Sequence, residues 1–194
     1  MCIRDRAQAR RVLHERGQGI LPDLKKWLAR HSENETAQME VLWLHEAVNV
    51  VNASLLMLTL EANDARVRAA AMRVLAHWHD RLTTTQLHAA AGIRDKHPRV
   101  RLEAVVAASF FEDPAAATVA LASCQHPTDK YIDYALRATM RALRPQWGYA
   151  ISTGRPVVEN NPAGEAYLLN LVDDDELVFL PRSPAVHRAM LTRH

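Results

Sequence analysis

Histidine and cysteine are the residues best able to do chemistry in this 194-residue chain, which has ten of the first and two of the second. Spacing decides what they can do. His77 and His79 stand two apart in a segment of helical periodicity. On a helix such positions point about 200° apart, so two imidazoles placed there do not share a metal ion. Asp80 does not repair that geometry. His97 and His126 each precede a proline, which puts them at helix starts, in capping or loop packing. Cys2 and Cys124 give neither a disulfide framework nor a metal-ligand spacing. Asp173-Asp174-Asp175-Glu176 lacks the alternating ligands and the glycine of a calcium loop, and reads as a solvated connection. No Ser/His/Asp or Cys/His set can be assembled. The expectation is a chain with no catalytic, cofactor-binding or metal residues of its own.

The elements carry more information. Ala37, Val67, Val100 and Tyr131 are separated by 30, 33 and 31 positions. After Val67, the residues Ala70, Ala71, Val74, Leu75 and Trp78 continue one helical face. After Tyr131, the residues Tyr134, Ala135, Ala138, Thr139 and Ala142 follow at the same steps. Self-similarity at such a period means stacked supersecondary units, each unable to bury its own stripe alone. The expected fold is all-α, a right-handed α-solenoid of stacked antiparallel helix pairs. Its repeat core is Val67, Ala71, Val74, Val100, Ala104, Tyr131 and Ala135. Tyr131 and Tyr134 lie on the packing register, so with Trp147 they read as core rather than as an aromatic binding patch. Trp43, Trp78, Phe110 and Phe111 fill the larger gaps.

Helices are expected over 10–15 and 21–31, then in pairs: 35–50 with 54–62, 65–79 with 83–93, and 98–111 with 114–125, followed by 128–143. Ser32-x-x-Glu35 and Thr83-x-x-Gln86 match capping boxes. Pro98, Pro114 and Pro127 suit first helical positions, where no amide partner is needed. The register stops at Pro145-Gln146-Trp147-Gly148. An irregular stretch 148–161 then leads to short helices 162–172 and 184–193. The organisation is a repeat array over 7–147, and over 148–194 a connection with short C-terminal helices that breaks off mid-element, at His194. Met1-Cys2-Ile3-Arg4-Asp5-Arg6 resembles the translated end of a transposon used to prepare sequencing libraries, so residues 1–6 are set aside as an artefact.

Composition narrows the partners. With 48% hydrophobic and 24% charged residues and a formal net charge of +2, the balance is ordinary, and Lys/Arg are scattered among Asp/Glu. That argues against nucleic acid or an anionic membrane as the main partner. No apolar stretch approaches the roughly 20 residues needed to span a bilayer.

Asp64-Ala65-Arg66-Val67-Arg68-Ala69-Ala70-Ala71 and His97-Pro98-Arg99-Val100-Arg101-Leu102-Glu103-Ala104 resemble the second-element signature of HEAT repeats. The spacing of about 31 residues is closer to the short bacterial HEAT-like class than to longer units. Arg99–Val105 and Asp133–Leu143 further resemble the large haem-binding, HEAT-repeat proteins of the PVC bacterial superphylum. In that family a dehydrogenase-like β-propeller precedes the repeats and a c-type cytochrome module follows them.

The resemblance implies a non-catalytic scaffold segment of a larger secreted or periplasmic redox protein, its partners being proteins or flanking domains of the same chain. Haem c belongs elsewhere in that parent. This chain has no propeller sequence and no C-x-x-C-H site, and Cys124-Gln-His126 supplies one cysteine where two thioether links are required. HEAT proteins often align polar residues into an inter-repeat hydrogen-bond ladder; here Asp64, Arg68, Asp95 and Arg101 would form it. The alternative is exposed arginines beside acids that favour helix N-termini by about 0.3–1 kcal/mol. A stand-alone adaptor binding a protein partner is the second functional expectation. A HEAT-like nucleic-acid glycosylase is the third, disfavoured by the balanced charge.

Overall fold

The computed structural model describes residues 3–113 and 115–192. Cys2, Pro114 (expected at a helix start) and the C-terminal His194 lie outside them. Among the described residues the chain is all-α, with no strand. Its helices are α1 (Ile3–Glu15), α2 (Leu21–Ala29), α3 (Glu35–Ala47), α4 (Ala53–Leu60), α5 (Ala65–His77), α6 (Thr85–Ile93), α7 (Pro98–Ala108), α8 (Ala115–Leu121), α9 (Lys130–Ala142), α10 (Arg144–Ser152), α11 (Pro162–Leu169) and α12 (Pro184–Thr192). Two compact units emerge, Met1–Thr83 and Thr84–His194. The division falls between the two helices that the sequence pairs as 65–79 and 83–93.

In the first unit α3 packs against α1, α2, α4 and α5, and α4 also packs against α5. In the second, α7 packs against α6, α8 and α9, while α6 and α11 both pack on α8. Alternate helices thus stack on alternate helices. Such serial stacking is the packing of an α-solenoid, in which each element meets only its neighbours.

Side chains set where these helices begin. Asn34 Oδ1 accepts from the Ala37 amide at 3.0 Å, and Asp64 Oδ1 accepts from the Arg66 amide at 2.8 Å. His97 Nδ1 accepts from the Arg99 amide at 3.2 Å. Asp129 Oδ1 takes both the Tyr131 and Ile132 amides, at 2.8 and 3.0 Å. These caps satisfy amides that have no partner inside the helix. The third residue after each cap is buried without exception: Ala37, Val67, Val100 and Ile132.

That rule corrects the sequence register in the last repeat. Ile132 is 1% exposed, whereas Tyr131 is 63% exposed and is not a core residue. Asp129 caps α9, so its phase is set two residues beyond Pro127, which does not start the helix. The whole face turns with it. Ile132, Ala135, Leu136 and Met140 point inward, while Tyr134 and Ala138 point outward. Val67, Ala71, Val74, Val100 and Ala104 are buried, as are Trp78 and Phe111, but Phe110 is exposed.

Other local expectations are revised as well. Ser32 does not cap α3, because Asn34 does. Thr84, not Thr83, precedes α6, and no side chain caps that helix. The register does not stop at Pro145. That proline occupies the first turn of α10, where it lacks no needed amide, and the helix runs on through Gly148 to Ser152. Trp147 is buried and donates from Nε1 to the Met140 carbonyl at 2.8 Å. Arg144 lies over its ring, 4.1 Å from the centroid. A Cβ at Gly148 would stand 2.7 Å from Arg144 Nη1, so the glycine leaves room for that stacking.

The corrected register has a direct check. Ile132→Asp should bury a carboxylate without a partner and cost several kcal/mol, on the order of a large fraction of total stability. Tyr131→Asp should change stability by no more than about 0.5 kcal/mol. Urea melts of the two variants measure both; equal losses would restore Tyr131 to the core.

Candidate functional site

Of the four residues of the expected ladder, Arg68 and Arg101 share one local geometry. Arg68 and Arg101 each occupy the fourth position after the cap, and both are buried. Arg68 Nη1 donates to the carbonyls of Ala62 and Asn63, at 2.7 and 2.8 Å. Arg101 Nη1 donates to Asp95 and Lys96 in the equivalent turn, at 3.0 and 3.2 Å, and its Nη2 reaches the Pro127 carbonyl at 2.8 Å. Gln38, at the same position of α3, donates to the Ser32 carbonyl. In each case a long donor folds back onto the turn that leads into its own helix. The carboxylates sit at the mouths of these turns. Asp64 holds Arg66, whose side chain and amide bring its carboxyl down to about 2. Asp95 Oδ1 accepts from the His97 amide at 2.8 Å.

Further polar ties span one repeat. Glu35, on the first turn of α3, accepts from the Asn63 and Asp64 amides at 2.7 and 2.8 Å; those amides hold its carboxyl below the usual range. The imidazole of His77 meets the Glu46 carboxylate, and Arg81 Nη1 donates to Asn49 Oδ1 at 2.8 Å. Asn49 has φ 58, a left-handed conformation that asparagine tolerates. In the second unit Thr139 Oγ1 donates to the buried Val105 carbonyl at 3.0 Å, and Arg144 Nη2 donates to Glu176 at 2.7 Å. Asp173 and Glu176 make the capping box that the sequence assigns elsewhere, opening a 3-10 turn over Asp174–Phe179.

Two grooves are candidates for ligands. One, of about 370 Å³, lies between α1, α2 and α3, lined by Leu13, Leu24, Trp27, Val41 and Leu44, with the Arg10–Glu40 ion pair (2.6 Å) on its wall. The other, of about 490 Å³, lies between α7 and α9, lined by Leu102, Val106, Tyr131, Tyr134 and Ala138 among others. Trp147 is buried away from it, so the three aromatics do not form one patch. The face was missed in the sequence because the apolar spacing was counted from Val100 rather than from the cap.

Among the described residues no group of three or more His, Cys, Asp or Glu side chains converges to hold a metal ion. Cys124 is half-buried; burial first, and then the nearby Asp133 carboxylate, push its thiol up. With one sulfur, it does not fit the two-thioether attachment of haem c. His45 has a structural task. Its Nδ1 donates to the Val50 carbonyl at 3.3 Å, and Asn52, which caps α4, donates to its Nε2 at 3.2 Å. Burial pushes its pKa below 6.5.

Two outcomes follow from these geometries. Arg101→Ala removes charge-assisted bonds to three buried or half-buried carbonyls, and should cost about 1–3 kcal/mol in urea unfolding; Arg68→Ala should lower the melting temperature detectably. A melt unchanged by both substitutions would reduce the arginines to surface decoration. Burial favours the neutral form of His45 in the fold, so near pH 6.5 the unfolded chain binds more protons. Its contribution is therefore present above pH 6.5 and is lost as pH falls below 6.5, through the lowered folded-state value. His45→Gln should flatten the pH dependence of the urea midpoint across that window; an identical slope would remove the assignment.

No curated protein and no solved structure matched the chain. A family model did, that of HEAT repeats, over residues 52–141. This stretch contains α4 to α8 and nearly all of α9, with both folded-back arginines. Over these residues the chain is similar to HEAT repeats.

Proposed function

We propose that this chain is a non-catalytic docking and spacing segment of a larger secreted or periplasmic haem-binding redox protein. HEAT repeats generally act as protein-interaction scaffolds, and the family is typically non-catalytic. The observation that carries the reading is a division of labour between side chains. The polar residues with the most defined geometry (Arg68, Arg101, Glu35, Thr139) are spent on turns and on ties between repeats. Apolar and aromatic side chains remain exposed, among them Val106 on α7 and Tyr131 and Tyr134 on α9. A surface of that kind holds partners and sets distances between modules; it does not position reactive groups.

The parent-protein part of the reading is supported by the resemblance of residues 97–147. In that setting haem would be held by another module. The test is the genomic sequence on both sides of this coding segment. The frame should continue into a β-propeller on one side and a C-x-x-C-H motif on the other. Stop and start signals close by, with neither module present, would overturn the parent and leave the stand-alone adaptor.

A further inference from the structure

We propose that the groove between α7 and α9 docks an acidic peptide segment carrying apolar anchors, which rests on the reading of the array as a docking surface and adds the chemistry of what it takes. Tyr131 and Tyr134 stand on its α9 side, 63% and 74% exposed. Leu102 and Val106 stand on its α7 side. Between them Ala138 and Ala142 keep the floor low, so an apolar side chain of the ligand can sit between the ring of Tyr134 and the α7 wall. Tyrosine supplies contact area at small entropic cost, and is enriched where interfaces hold most tightly.

Charge selects the ligand. Lys130 Nζ lies 5.0 Å from the centre of the Tyr131 ring. Arg99 precedes Leu102 by three residues and Val106 by seven, which puts it on the same exposed stripe of α7. Arg141 follows Ala138 by three and Tyr134 by seven, on the exposed side of α9. No ion pair engages any of the three among the described residues. The nearby carboxylates are engaged or turned away from the groove. Asp129 Oδ1 caps α9, Asp133 faces Cys124 and Tyr167, and Glu103 is 8% exposed and engaged. Glu103, the one charged residue of the groove lining, is buried, while Arg99, Lys130 and Arg141 stand exposed at its rim; a basic segment would meet these cations, and an acidic one is complemented by them.

The test uses the full chain and two fluorescein-labelled decapeptides read by anisotropy. One alternates glutamate with leucine and phenylalanine; the other has lysine for glutamate. The acidic probe should bind at least about tenfold tighter, a difference of roughly 1.4 kcal/mol. Raising salt from about 50 to about 300 mM should weaken it. Arg99→Glu and Tyr134→Ser should each weaken it about tenfold, with thermal melts unchanged because both side chains are exposed. Equal binding of the lysine probe would overturn the charge preference while leaving a docking array intact. No binding of the acidic probe, binding insensitive to both substitutions, or equal binding of a single-stranded oligonucleotide would overturn the proposal, and none of these touches the genomic test above.

Discussion

The helix cap and the donor four residues behind it hold this architecture together. A helix pair in an array cannot bury its stripe unless the turn between its members delivers the second helix in the right phase. Here an Asn, Asp or His side chain fixes the phase by closing the first amides. In α3, α5 and α7 a Gln or Arg on the first full turn then reaches back to the carbonyls of the same turn, whereas α9 has Asp133 at that position. The two groups work from opposite sides: one satisfies donors, the other acceptors, and between them the turn has little polar backbone left to leave the fold for water. Burying a long cationic side chain is costly unless its donors are filled. Arg101 fills Nη1 and Nη2 with carbonyls alone, so its charge is met by dipoles that the turn must orient anyway.

Around these turns, neighbouring repeats are joined by bonds whose partners lie about one repeat apart in sequence. Glu35 to Asp64, Glu46 to His77, Asn49 to Arg81, Val105 to Thr139 and Arg144 to Glu176 all follow this pattern. Each tie is local. Stability in such a chain approximates a sum of repeat and neighbour contributions rather than the property of one core. The second unit continues the scheme beyond the HEAT-matching stretch. There Asn161 is buried, donating to the Leu121 carbonyl at 2.9 Å while its Oδ1 closes the start of α11.

Much of this was legible in the chain itself. The all-α class, the helix count through residue 143 and the inward faces of α5 and α7 follow from apolar spacing, because Val67 and Val100 happen to stand at the same distance from their caps. The last repeat was misread for the same reason. Tyr131 lies 31 residues from Val100 and Ile132 lies 32, and apolar spacing cannot choose between two adjacent apolar residues. The cap can, but Pro127, Thr128 and Asp129 all suit a helix start. The folded-back arginines were visible only as equivalent positions, since backbone carbonyls are acceptors that no residue type announces. The helix through Gly148 was missed because proline and glycine together signal a break, and the stacking of Arg144 on Trp147 that makes the glycine useful is a tertiary fact.

The dependence of α9 on a single carboxylate means that recognition here is encoded upstream of the residues that would do the recognising. Thr128 is itself a capping residue type, one step earlier. If it took over from Asp129, the helix would rotate by about 100° and exchange Ile132 for Tyr131 in the interior. Evolution can thus rewrite which rings a repeat displays, or withdraw them altogether, by editing one loop position and leaving every contact residue as it is.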